Sequence, residues 1–158
     1  MILNDSHIEM CDDLVYLGLL FHYNGIFLHS QKSLSDQGRN ALFNLYSKIH
    51  EDCFNHETLL SLFDAYISCI LNCECELWGS HKGEYIEQVH LNFLKRTLKV
   101  WRSTVNYIIY FELGRVPMYV ERYSKIIKYW CKILKTENIV VKTCYEAMVE
   151  SSERNFNQ

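Results

Sequence analysis

The chain has 158 residues, 49% apolar and 22% charged, with a single proline; this excludes a disordered chain and leaves length enough to bury a core without a metal or disulfide staple. Seven cysteines, an odd number without paired spacing, and no apolar stretch of spanning length point to a reducing intracellular setting, nuclear or cytoplasmic, with no membrane partner. Net charge is −3, yet between Lys95 and Lys135 ten Lys/Arg meet only Glu112 and Glu121, a net +8, while the other 117 residues carry six basic and seventeen acidic groups, a net −11. Local sign, more than the total, steers a polyanion.

Residues 1–11 lack the charged-then-apolar layout of a targeting segment and form a poorly defined edge. Residues 12–30 read as a β-hairpin. Val15, Leu17, Leu19 and Phe21 alternate along its first strand, Asn24-Gly25 supplies a tight type I′ turn, and Ile26-Phe27-Leu28 returns. Leu17 and Phe21 are expected to cover one end of a helical bundle. That bundle occupies 31–150 and makes the fold class mainly α, with about five helices.

From Ser35 or Asp36, either able to cap, a helix runs through Ala41, Leu42, Leu45, Tyr46, Ile49 and Cys53. Asn55 is an N-cap for a helix over 57–78 that is apolar nearly all round, as befits the centre of a bundle. The run 79–83 ends it. The next helix, 84–101, puts Ile86, Val89, His90, Phe93 and Leu94 on one side and collects Lys95, Arg96, Lys99 and Arg102 at its end. Ser103-Thr104 offers an N-cap for a short helix that stops at Gly114, ahead of Pro117. A longer helix then carries Tyr119, Val120, Tyr123, Ile126, Ile127, Trp130, Ile133 and Leu134, with Arg122, Lys125, Lys128, Lys132 and Lys135 on its other side. A last helix spans about 139–150, and 151–158 is expected to fray.

Chemistry finds little support. Cys69, Cys73 and Cys75 with His81 lack the paired Cys-x2-Cys loops of structural zinc and read as buried, inert thiols, so no metal or other cofactor is expected. Asp12-Asp13 precedes a strand and does not sit in a turn, and the six glycines are single, so no phosphate-cradling loop occurs. What remains is a basic surface of two helices flanking a short turn, suited to tracking a phosphate backbone without reading bases.

Several pieces, in order, resemble the primer grip and thumb of non-LTR (LINE-type) retrotransposon reverse transcriptases. Val15-Tyr16-Leu17-Gly18 and its hairpin resemble the primer-grip motif. Leu62-Phe63-Asp64, Ile70-Leu71-Asn72 and Glu76-Leu77-Trp78-Gly79 are similar to the family's thumb helix. Val89-His90-Leu91-Asn92-Phe93-Leu94-Lys95 and the run from Ser103-Thr104 to Glu112-Leu113-Gly114-Arg115 and Pro117 continue the likeness, which covers about 12–135.

The resemblance implies a thumb that holds a template–primer duplex or RNA–DNA hybrid against an upstream palm domain. Its nucleic-acid-binding side would use Lys95, Lys99, Arg102, Arg115, Arg122, Lys125, Lys128 and Lys132; Tyr16, Leu17 and Gly18 would be its primer-grip-like residues. The chain departs from the family at Val15 (usually Lys), Val105 (usually Pro) and Phe111 (usually Gly). It has no match to the RNA-directed DNA polymerase's catalytic carboxylate motifs, so no enzyme activity of its own is expected. The alternatives are a helical protein-interaction module and a retroelement relic with no selected function.

Overall fold

The computed structural model describes the backbone of residues 2–3, 6–7, 11–49, 54–80 and 83–156, and the side chains of 11–49, 54–80 and 83–149. Among these residues the chain is mainly α-helical with an N-terminal antiparallel hairpin. A two-residue pair, β1 (Ile2–Leu3) and β2 (Ser6–His7), precedes the hairpin of β3 (Asp13–Tyr16) and β4 (Leu19–His22).

The hairpin turns earlier than the Asn-Gly signal suggests. Tyr16 pairs with Leu19 and Asp13 with His22, so the loop is Leu17-Gly18. Both of its residues have positive φ, 50° and 87°, as a type I′ turn demands. Asn24-Gly25 serves a different bend: the Asn24 side chain accepts from Ile26 N–H at 2.9 Å and directs the chain into the first helix. With the turn at 17–18, Leu19 is buried and Phe21 packs edge-on against Phe27, whereas Leu17 stands exposed at the tip and covers nothing.

Helix α1 (Leu28–Lys48) therefore begins a full two turns before Ser35. Ser30 Oγ donates to the Leu20 carbonyl and fastens the helix to β4. Ser35 is a mid-helix residue whose hydroxyl donates back to Lys32 O at 2.8 Å. Leu34 and Leu42 face the core, and Gly38 lets α1 come close: a Cβ there would lie 2.5 Å from Leu71 Cδ2. Cys53 lies outside the described residues.

Asn55 caps as expected, its side chain accepting from Thr58 N–H at 2.8 Å. The single helix expected over 57–78 is in fact four pieces: α2 (His56–Leu62), a π-helical segment (Phe63–Ile67), α3 (Ser68–Leu71) and, after Glu74 in the left-handed region, α4 (Cys75–Trp78). It does lie at the centre, with Phe63, Ile67, Leu71, Cys75 and Trp78 buried, but Tyr66 and Leu77 face outward. The Trp78 indole N–H donates to the Cys73 carbonyl at 2.8 Å, closing the break.

Helix α5 (Glu84–Thr97) packs its Ile86–Val89–Phe93–Leu94 face on this centre, with Phe63 and Phe93 stacked 4.3 Å apart. The short α6 (Asn106–Glu112) starts from Val105 with no side-chain cap, so Ser103-Thr104 does not cap it. Next come α7 (Met118–Lys135) and α8 (Ile139–Phe156), joined through Asn138, which caps α8 by accepting from Val140 N–H. The helical backbone thus continues six residues past the expected end.

Two joints tie α7 to the body. Glu87 of α5 accepts from the N–H groups of Met118 (3.0 Å) and Tyr119 (2.7 Å), so its carboxylate caps a helix 31 residues downstream. The same carboxylate pairs at 2.8 Å with Arg122, whose side chain is 0% exposed. Gly83, at φ +63°, leaves the space: a Cβ would sit 2.9 Å from that guanidinium. We expect Glu87→Gln to cost about 3–5 kcal/mol in urea titrations, because the Arg122 charge stays buried opposite a neutral amide. Asp64→Asn, at the more exposed Asp64–Arg115 pair, should cost no more than about 1 kcal/mol. Equal losses would contradict this ranking.

His90 lies between Phe63 and Tyr110, and burial, aided by Arg115, lowers its pKa from 6.5 to about 4. The unfolded chain then binds a proton that the folded chain refuses, so stability should hold above pH 6.5 and fall by about 3 kcal/mol as pH drops through 4. His90→Gln should flatten that part of the pH–stability curve.

Candidate functional site

The basic cluster is built on the way α5 stops. Val100 N–H donates to Lys95 O at 3.1 Å and Lys99 N–H to Arg96 O at 2.9 Å, the two bonds of a Schellman motif. The left-handed position that closes it, usually glycine, is Lys99, with φ 53°. A second Schellman motif ends α6, where the same position is Gly114 and the bonds run from Arg115 to Tyr110 O and from Gly114 to Phe111 O.

Beyond the first motif the chain turns at Trp101, whose carbonyl accepts from Thr104 N–H. Lys95 is only 9% exposed, and its Nζ donates to Arg102 O at 2.7 Å, so this cation braces the turn. Arg96 lies over the Tyr46 ring at 3.8 Å and links α5 to α1. Between these helices opens a cleft of about 500 Å³ lined by Tyr46, Asn92, Lys95, Arg96, Lys99 and Arg102. Four cations in one concavity make an electropositive site for an anion.

The other residues expected on this side are distributed differently. Arg122 is buried against Glu87 and is structural, not a surface contact. Arg115 grips Asp64 through two bonds, at 3.0 and 2.6 Å, and braces α6 to the π segment. Lys125 is half-buried near Cys75, where its charge works against the desolvation and the Glu76 carboxylate that push that thiol up to about 11. Lys128 and Lys132 stand exposed on α7. No described α7 residue lines the cleft, so the two basic stripes do not converge on one pocket. Tyr16 and Leu17 are exposed at the hairpin tip; Gly18 has open space around it and is required by φ alone.

The cysteine cluster is also split. Cys75 is buried and Cys73 half-buried, but Cys69 is exposed, contrary to the expectation of three buried thiols. No group of three or more His, Cys, Asp or Glu among the described residues is placed to hold a metal ion.

Arg96, Tyr46 and Asn92 are the members of the cleft that were not expected. The helical phase of α5 carries the signal: with 86, 89, 90, 93 and 94 turned inward, 92, 96 and 99 share the outer face, and 95 falls at its buried border.

Because a side chain in the left-handed region costs stability, Lys99→Gly should stabilise the fold by about 1 kcal/mol. Gly114→Ala should destabilise it by a similar amount. Urea titration checks both; a loss of stability in the Lys99 variant would mean that its side chain supports the turn more than its backbone strains it.

Comparison with protein-family models, curated proteins and solved structures returned no match.

Proposed function

We propose that the chain is a nucleic-acid-binding fragment, catalytically silent by itself, that resembles the thumb of a retrotransposon reverse transcriptase. The observation that carries this reading is the cleft at the end of α5, where Lys95, Arg96, Lys99 and Arg102 meet. A Schellman motif and the Lys95–Arg102 bond hold its backbone, so the cations are presented with little ordering left to do. The ordered motif likeness over 12–135 supports the same reading, and so does the concentration of positive charge between Lys95 and Lys135. In this reading the occupant is the backbone of a template–primer duplex or hybrid, met without base readout. The exposed hairpin tip, Tyr16-Leu17-Gly18, would face a palm domain.

A second reading, a helical protein-interaction module, draws on one observation. Val120, Tyr123, Ile127, Trp130 and Leu134 recur at three and four along α7, and all five are exposed. That is the spacing of a coiled-coil seam.

Charge reversal separates the two. On the nucleic-acid reading the full chain binds a hybrid duplex with strong salt dependence. Arg96→Glu with Arg102→Glu should weaken binding at least ten-fold and lower the salt slope by about one per lost phosphate contact. Lys128→Glu with Lys132→Glu tests the α7 stripe separately. Absence of salt-sensitive binding by the folded chain rejects the proposal.

A further inference from the structure

Next to the cleft the surface changes character. Trp101 is 86% exposed, on the turn between Val100 and Arg102, both of which line the cleft. Tyr107 and Phe111, one helical turn apart on α6, are 72% and 87% exposed. Among the described residues neither Trp101 nor Phe111 meets another ring, so these faces contribute nothing to the chain's own packing. A contiguous apolar patch of this kind usually marks a binding surface. Here its border is cationic, and that narrows the chemistry of the occupant.

A ligand that satisfies both parts must be a polyanion that also offers flat apolar faces. A duplex presents the charge but hides its base faces in the stack. An acidic peptide presents the charge without the flat faces. An anionic bilayer would meet Trp and Lys on a plane, whereas Arg96, Lys99 and Arg102 line a concavity. An unpaired nucleic-acid strand has both features, with phosphates at regular spacing and every base free to stack.

We infer that the cleft and its aromatic rim bind unpaired nucleotides: phosphates against Arg96, Lys99 and Arg102, and a base stacked on Trp101. The inference rests on the nucleic-acid reading above and specifies the strand that has left the duplex. The turn suits the task because Lys95 Nζ on Arg102 O and Thr104 N–H on Trp101 O fix the backbone on either side of the indole. A preset platform loses little freedom on binding.

Fluorescence anisotropy with the full chain tests it, using a labelled single strand of roughly a dozen nucleotides, within the span such sites cover, a blunt duplex of the same length, and phosphatidylserine vesicles. The single strand should bind more tightly than the duplex at equal salt. Trp101→Ala, at a surface position whose stability urea titration verifies, should weaken single-strand binding roughly ten-fold, leave duplex binding unchanged and keep the salt slope. Duplex binding as tight as single-strand binding, or no effect of Trp101→Ala, overturns this inference and leaves the phosphate-binding reading standing. No salt-sensitive binding to either nucleic acid overturns both. Vesicle binding without nucleic-acid binding also overturns both, in favour of a membrane surface.

Discussion

One carboxylate holds the two halves of the described structure together. Glu87 projects from α5 and meets three donors of α7: two backbone N–H groups that no helical partner can satisfy, and the Arg122 guanidinium. A helix N-terminus carries partial positive charge, so a single anion answers both the dipole and the arginine. The arrangement works only because Gly83 leaves room for the guanidinium beside Trp78, whose ring lies 5.6 Å from it. Burying the pair alone would give little stability; its weight lies in the cost of removing one partner. The direction of α7, and with it the positions of Lys128 and Lys132, depends on that joint.

The basic residues thereby divide by task. Lys95, Arg115 and Arg122 spend their charge inside the molecule, on a carbonyl, on Asp64 and on Glu87. Arg96, Lys99 and Arg102 surround the cleft. A count of charge along the chain cannot make this division, because the same residue type braces a turn in one place and lines a binding surface in another.

How far the residues alone reveal the structure varies with the interaction that decides each element. Asn55 could be read because its cap is local, three residues from its partner. The inward face of α5 could be read because its period is regular. The hairpin turn could not. Asn24-Gly25 is the stronger local turn signal, but a turn at Leu17-Gly18 puts Leu19 in the core, and tertiary burial outweighs turn chemistry. The burial of Arg122 depends on Glu87, 35 residues earlier, and no local pattern shows it. Lys95 is intermediate: its place at the edge of the inward face suggests burial, but its bond to Arg102 O needs the turn between them.

The π-helical segment Phe63–Ile67 bears on this as well. Its buried residues, Phe63, Ile67, Leu71 and Cys75, follow at intervals of four, a spacing that in a regular α-helix drifts steadily around the axis. The wider π turn absorbs one supernumerary residue and keeps the row aimed at the core, and a 3.6-residue ruler laid on it reports apolar residues on every side. Angular phase in the second half of this central element is therefore set by a single inserted position. Deleting one residue between 63 and 67 would restore ordinary winding and swing everything after it by about 100°, carrying Leu71 away from Gly38 and Trp78 away from Arg122. The segment tolerates exchange of its outward side chains far better than a change in its length.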